Sequence, residues 1–128
     1  MPNDFSSNVP IYIQIMNDVK LKIVAGLWEP GQRLPSVRDL AVEFSVNPNT
    51  MQRALAELER DGLLYTERTS GRFVSQDQEK ILKAKAEMAE EYTESFYQSM
   101  KKLGYKNKEI IYIVSDKLNQ KKGDGENE

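Results

Sequence analysis

The chain has 128 residues, of which 39% are hydrophobic and 30% are charged, and its formal net charge at pH 7 is −2. This length allows one compact domain, or a small domain with a helical appendage, and excludes two large domains. The sequence contains no cysteine and no histidine, which excludes disulfides, thiolate nucleophiles, imidazole bases and nearly every zinc or iron site. We therefore expect no enzyme activity and no cofactor.

Hydropathy and charge also indicate where in the cell the protein acts and how it could bind nucleic acid. No apolar stretch approaches the roughly 20 residues needed to cross a bilayer, and no basic segment followed by an apolar run marks the start for export, so we expect a cytoplasmic protein. The slight negative charge argues against indiscriminate coating of nucleic acid, which depends on summed attraction to phosphates. Sequence-specific binding stays open, because it needs positive charge only on the docking face.

The first predicted element is an amphipathic helix from about Ile11 to Ala25, in which Tyr12 and the following apolar residues recur at steps of three and four. Pro10 stands at its start and Gly26 just past its end, the positions where helices accept proline and favour glycine. The segment WEPGQRLPS that follows predicts a turn at Pro30-Gly31 and then an extended approach to the next helix.

Two further helices are predicted, separated by a three-residue turn. The first runs from Val37 to Phe44 with Ser36 as its N-cap. The second begins at Pro48 after the cap Asn47 and ends at Asp61-Gly62.

A hairpin is predicted directly after the third helix. Residues Leu63–Thr66 and Arg72–Ser75 have the pattern of two strands around a turn that contains Ser70-Gly71. The order helix, helix, turn, helix, hairpin is that of a winged helix-turn-helix. We therefore expect residues 1–76 to form a DNA-binding domain of this type.

The rest of the chain is rich in lysine and glutamate and predicts a long amphipathic helix over Gln78–Leu103, closed by Gly104. A last element follows Asn107, and its β-branched residues leave a strand open for 110–118. We favour a helix there, because Asn107 can cap it and its apolar residues share one face. Two such helices expose more apolar surface than they can cover by themselves.

These patterns together define a fold class. The chain is expected to be mainly α with a small β-hairpin, in which a winged helix-turn-helix is followed by a two-helix dimerisation segment over residues 77–118. The polar residues 119–128 are expected to form a disordered tail.

The third helix is the candidate recognition helix. Asn49, Gln52 and Arg53 project away from its apolar stripe, and its first two turns carry no acidic residue. Asparagine and glutamine can bond adenine edges in the major groove, arginine can bond guanine or phosphate, and the helix N-terminus favours a phosphate. The alternative is that this is only the solvated side of a surface helix, but the following wing favours a DNA contact.

Other candidate contacts lie on the second helix and in the wing. Arg38 is placed to reach a phosphate, although it could instead form a surface ion pair with Glu43. In the wing, Gly71 would let the backbone approach the sugar-phosphate ridge, and Arg68 and Arg72 could contact phosphate or the minor groove. The alternative for the wing is an ordinary hairpin turn.

The run from Leu27 to Val74 closely resembles the DNA-binding domain of GntR-family transcription regulators. It contains the segments PGxxLPSxRxLA and VNPNTxxRAxxELExxG and the wing sequence G-x-F-V. The short remainder resembles the YtrA-type subfamily, in which two C-terminal helices build a homodimer. The resemblance implies that DNA contacts fall on Arg38, Asn49, Thr50, Arg53 and Gly71. It also implies that Ser36 lies near the DNA backbone.

The sequence departs from the family pattern at three positions. Thr69 stands where the wing usually has its first glycine, so the geometry of the wing is less constrained. Pro48 and Gln52 stand where some other GntR branches have arginines, so the operator of those branches does not transfer to this chain.

A symmetric dimer reads half-sites about one helical turn or a multiple apart, which predicts an inverted-repeat operator in double-stranded DNA. Repression by occluding a promoter is the simplest mechanism, and the YtrA-type resemblance implies a transporter operon as the target. Two alternatives stay open: a small ligand of unknown identity at the dimer interface could control binding, or the winged helix could bind a protein instead of DNA.

Overall fold

The computed structural model describes residues 8–122, and these residues form five helices and one two-stranded sheet. The elements in chain order are α1 (Ile11–Val24), α2 (Val37–Phe44), α3 (Pro48–Arg60), β1 (Leu64–Glu67), β2 (Gly71–Val74), α4 (Gln78–Lys102) and α5 (Asn107–Lys121). The predicted fold class, mainly α with a small hairpin, is confirmed. None of the helices in this range has both the length and the apolar character of a membrane span.

Side-chain caps start the two central helices where the sequence predicts them. The Ser36 hydroxyl accepts a hydrogen bond from the Asp39 N–H at 3.0 Å, and the Asn47 side-chain oxygen accepts one from the Asn49 N–H at 2.7 Å. Pro48 occupies the first turn of α3, where a missing N–H costs nothing. Caps of this kind contribute about 1 kcal/mol each.

One apolar core joins α1, α2, α3, the hairpin and the beginning of α4. The largest side chains that are almost completely excluded from solvent are Ile15, Val19, Leu40, Met51, Leu55, Leu58, Leu64 and Val74. Burial of each large side chain of this kind contributes roughly 1.5–3 kcal/mol. Ile81 and Ala84 of α4 belong to the same core, so this core takes in residues beyond position 76, where we expected the winged-helix domain to end.

The wing has more strand pairing than the sequence indicated. β1 and β2 are antiparallel with Leu64 opposite Val74, so the first strand begins one residue later than predicted. The linker before α2, where we predicted a turn and an extended approach, adds a further strand-like segment along β2. Its Leu34 N–H donates to the Arg72 carbonyl at 2.8 Å, the Val74 N–H donates to the Gln32 carbonyl at 2.9 Å, and Arg33 lies opposite Phe73.

The chain divides into two compact units, and the division falls between Glu87 and Met88, inside α4. In the second unit the element after the turn at Gly104 is a helix, so the preference for helix over strand in 110–118 is confirmed. The position of its cap was wrong by one residue: Lys106 precedes the helix, and its N–H donates to the Glu109 carboxylate at 2.8 Å.

The disordered tail was predicted to begin at residue 119, which is too early, because α5 continues to Lys121. The polar side chains of 119–121 are compatible with an exposed helix end. The remainder of the expected tail, 123–128, lies outside the described residues.

Candidate nucleic-acid interface

The exposed face of α3 carries the predicted base-contacting side chains. Asn49, Gln52 and Arg53 are exposed, and the buried residues of the same helix are Met51, Ala54, Leu55 and Leu58. This division follows from the helical period, since positions three and four apart lie on one side. Thr50 is half-buried, so its side chain is less accessible than the other three.

The charges of α3 are arranged along its length. No acidic residue lies in the first turn, whereas Glu57 and Glu59 lie near the end and both bind arginines. Arg60 contacts Glu57 at 3.4 Å, and Arg72 contacts Glu59 at 3.3 Å. The beginning of α3 can therefore approach phosphates without repulsion from carboxylates.

The N-terminus of α3 offers few backbone donors to a phosphate. Pro48 has no N–H, the Asn49 N–H donates to Asn47 Oδ1, and the Met51 N–H donates to the Asn47 carbonyl. The Met51 bond is the first regular bond of the helix, and of the four positions that lack an intrahelical partner, 47–50, Pro48 has no donor and Asn49 already donates. We expected the helix N-terminus to favour a phosphate, and at this end a phosphate would meet fewer free backbone amides than at a helix without these two features.

Arg53 is stacked on an aromatic ring of α1. The guanidinium carbon of Arg53 lies 3.8 Å from the centre of the half-buried Tyr12 ring. A cation over an aromatic face gains about 0.5–2 kcal/mol. The N–H groups of a guanidinium lie in its plane, so stacking through the face leaves them able to donate to DNA. Tyr12 was predicted only as part of the apolar face of α1, and no sequence signal indicated its contact with Arg53.

The two wing arginines proposed from the sequence have different environments. Arg68 is exposed in the turn. The Arg72 side chain is only 17% exposed and donates to Glu59 Oε1, which also accepts a hydrogen bond from the Thr66 hydroxyl at 2.9 Å. Arg72 thus joins the wing to α3, and its charge is balanced inside the protein.

The remaining candidates lie on α2 and in the turn of the wing. Arg38 is exposed and, among the residues that the structure describes, pairs with no carboxylate, Glu43 included. Gly71 has a φ of +118°, a backbone conformation that favours glycine. Ser36 and Gly71 line a common groove between the start of α2 and the wing. The structure therefore brings these two candidates together, although they are 35 positions apart in the sequence.

A further arginine, which was not among the residues predicted from the sequence, lies in that groove. Arg33 is exposed, it borders the same groove, and a Cβ built on Gly71 would lie 3.2 Å from its Nε. A compositional signal points to it: all six arginines of the chain lie between positions 33 and 72, and none of the lysines does. Arginine is the cation that matches phosphate geometry best.

The first half of the chain matches a known family. The family described as bacterial regulatory proteins, gntR family, matches residues 11–74, which include α1, α2, α3 and the hairpin. The chain belongs to the GntR family. The resemblance seen in the sequence motifs is therefore confirmed.

Two relatives are similar to this GntR chain beyond the motifs. It is 39% identical over 111 residues to YhcF, an uncharacterized HTH-type transcriptional regulator of Bacillus subtilis (strain 168), covering 87% of this chain and 92% of YhcF. It is 43% identical over 74 residues to YtrA, an HTH-type transcriptional repressor of the same strain, covering 58% of this chain and 57% of YtrA. These similarities agree with the YtrA-type subfamily.

Solved structures show the same fold. A GntR family transcriptional regulator from Listeria monocytogenes is 40% identical with a TM-score of 0.80, over 88% of this chain and 98% of that one. The DNA-binding domain of AraR, solved in complex with operator ORR3, is 30% identical with a TM-score of 0.51, over 57% of this chain and 86% of that one. The GntR chain described here is accordingly a DNA-binding transcription regulator.

Proposed function

We propose that this GntR-family chain binds an inverted-repeat operator as a homodimer and represses transcription by occluding a promoter. The observation that carries the proposal is the exposed, acid-free face at the start of α3, where Asn49, Gln52 and Arg53 stand side by side. Asparagine, glutamine and arginine are the side chains that read base edges in the major groove. Ser36, Arg38, Thr50, Arg68 and Gly71 would add contacts to the sugar-phosphate backbone.

Dimerisation is supported by the apolar surface of the second unit. The exposed apolar side chains there are Tyr92, Phe96, Leu103, Tyr105, Ile111, Tyr112 and Leu118. In the described part of this unit only Met88 and Ile110 are buried apolar residues, so the two helices gain little hydrophobic stabilisation by themselves. Pairing about a two-fold axis would bury the exposed side chains and would place two copies of α3 on successive half-sites.

Repression is supported by the name of YtrA, which is a transcriptional repressor. A protein that covers a promoter blocks RNA polymerase by occupying the DNA, so repression of this kind needs no catalytic step. The proposed site of action is the cytoplasm, where the DNA lies. The transporter operon implied by the YtrA-type resemblance is proposed as the class of target.

The experiment selects bound fragments from host genomic DNA and titrates the enriched site by fluorescence anisotropy across a salt series. We expect an enriched inverted repeat and a steep salt dependence of affinity. The Asn49→Ala and Gln52→Ala variants should lose operator affinity by about 1–3 kcal/mol each.

The matched control is Lys83→Ala. Lys83 is an exposed cation that borders a hollow beside Asp61 and Glu87 at the far end of α3, so its removal should change operator affinity little. If no DNA fragment is enriched, or if Gln52→Ala and Lys83→Ala lose equal operator affinity, operator reading by α3 is contradicted. Saturable binding of a protein or of a small ligand in that case would identify which of the alternative functions holds.

A further inference from the structure

We propose that Arg33, in the segment paired with β2, binds a DNA phosphate in the groove between the start of α2 and the wing. The inference rests on the proposed function, because it assumes that the wing faces DNA. It assigns a contact to a residue outside the recognition helix and outside the turn of the wing.

The first support is the chemical character of the groove. It has a volume of about 300 Å³, and its polar lining comes from Arg33, Ser36, Thr66 and Arg72. None of the described residues that line it carries a carboxylate. Glu59 already accepts hydrogen bonds from Thr66 and Arg72, which leaves the Arg33 guanidinium and the Ser36 hydroxyl to donate to a phosphate. Charge-assisted hydrogen bonds of this type are among the strongest in proteins.

The second support is the availability of the Arg33 charge. Arg72 lies in the same groove, but Glu59 already neutralises it. Arg33 forms no ion pair with any described residue, although Asp39 and Glu43 line a neighbouring hollow that it also borders. Arg33 is thus the guanidinium in this groove whose charge is available to DNA.

The third support is the position of Arg33 relative to Gly71. Because Arg33 lies opposite Phe73 in antiparallel pairing, and Gly71 is two residues before Phe73, Arg33 and Gly71 belong to the same face of the sheet. The missing side chain of Gly71 leaves space beside Arg33 Nε. Backbone pairing on this segment fixes the Cα of Arg33, so less conformational freedom is lost when its side chain binds.

The test compares the full chain carrying Arg33→Ala, Arg33→Lys or the control Lys83→Ala on two duplexes, the enriched operator and a scrambled sequence of equal length. A phosphate contact contributes a slope of about −0.9 to log affinity against log salt, which corresponds to about an eightfold loss for Arg33→Ala at 100 mM and about threefold at 300 mM. We expect the same loss on both duplexes. Arg33→Lys should keep most of the salt slope because it keeps the charge, and Lys83→Ala should keep all of it.

The outcomes separate this inference from the proposed function. If Arg33→Ala and Lys83→Ala have equal salt slopes, the phosphate contact is overturned. A loss of affinity that is confined to the operator also overturns it, because such a loss would indicate base reading. If the wild-type chain binds both duplexes equally, operator reading fails, but the slope of Arg33→Ala on the scrambled duplex still decides the phosphate contact. If the wild-type chain binds neither duplex, both proposals fail. Thermal unfolding of each variant checks that the strand pairing of the Arg33 segment is intact.

Discussion

Replacing Tyr12 in α1 should weaken operator binding although the side chain belongs to no predicted DNA contact. The Tyr12 ring lies under the Arg53 guanidinium at 3.8 Å, and the stack holds Arg53 in one position while its N–H groups stay free. At an exposed site such a contact is worth about 0.5–1 kcal/mol. Tyr12→Leu removes the ring face and should therefore reduce operator affinity by about 2- to 5-fold.

A double-mutant cycle tests the reasoning, with the dissociation constant for the operator measured by anisotropy at fixed salt. Arg53→Ala alone should cost about 1–3 kcal/mol of binding free energy. In the Arg53→Ala background, Tyr12→Leu should have no further effect, because the ring then has no cation to position. Tyr12→Phe keeps an aromatic face at the same place and serves as the matched control, with affinity close to that of the wild type.

Two results would refute the positioning role of Tyr12. An undiminished loss from Tyr12→Leu in the Arg53→Ala background would mean that the ring acts independently of Arg53. Stronger operator binding by Tyr12→Leu would mean that the stack competes with DNA for Arg53. Thermal unfolding of each variant separates both results from loss of α1 packing.

Three further predictions concern stability, charge and assembly. Glu59→Ala removes the acceptor of Arg72, so it should lower the free energy of unfolding by about 0.5–1 kcal/mol. Because the Arg72 charge is then released, the variant should also bind non-operator DNA more strongly. An unchanged free energy of unfolding in urea and an unchanged affinity in anisotropy would contradict this prediction. Gly71→Ala places a Cβ on a residue with a φ of +118° and should cost about 1–3 kcal/mol in urea unfolding, whereas a neutral effect would mean that the wing relaxes. Ile111→Glu changes a side chain of the second unit that is 66% exposed and should convert a dimer into a monomer in sedimentation equilibrium. The control Val42→Glu changes a side chain of α2 that is 76% exposed and should leave the dimer intact. Equal behaviour of the two variants would place the dimer interface elsewhere.

Local sequence signals predicted most of the fold. The hydroxyl of Ser36 and the amide of Asn47 cap their helices as expected, because capping involves residues two or three positions apart. The apolar stripe of α3 likewise follows from the helical period, and it divides the helix into a buried and an exposed face. The polar residues of the exposed face could therefore be identified before the structure was known.

Contacts between distant positions could not be predicted in this way. Glu59 and Arg72 are 13 residues apart, and the sequence does not indicate that Arg72 is neutralised inside the protein. The Tyr12 stack on Arg53 joins two helices separated by all of α2. In both cases an aromatic or charged residue has many possible partners, and only the packing of the helices selects one.

The sequence by itself determined the number and order of the helices, the wing hairpin and the family, because these depend on periodicity, caps and short motifs that are encoded within a few residues. The tertiary structure decided which arginines are available to DNA. Arg33 joins the wing because its segment pairs with β2, and Arg72 is withdrawn because Glu59 lies beside it. Strand pairing and ion pairing bring together residues far apart in the chain, and the free energy that selects those partners comes from the packing of the whole domain.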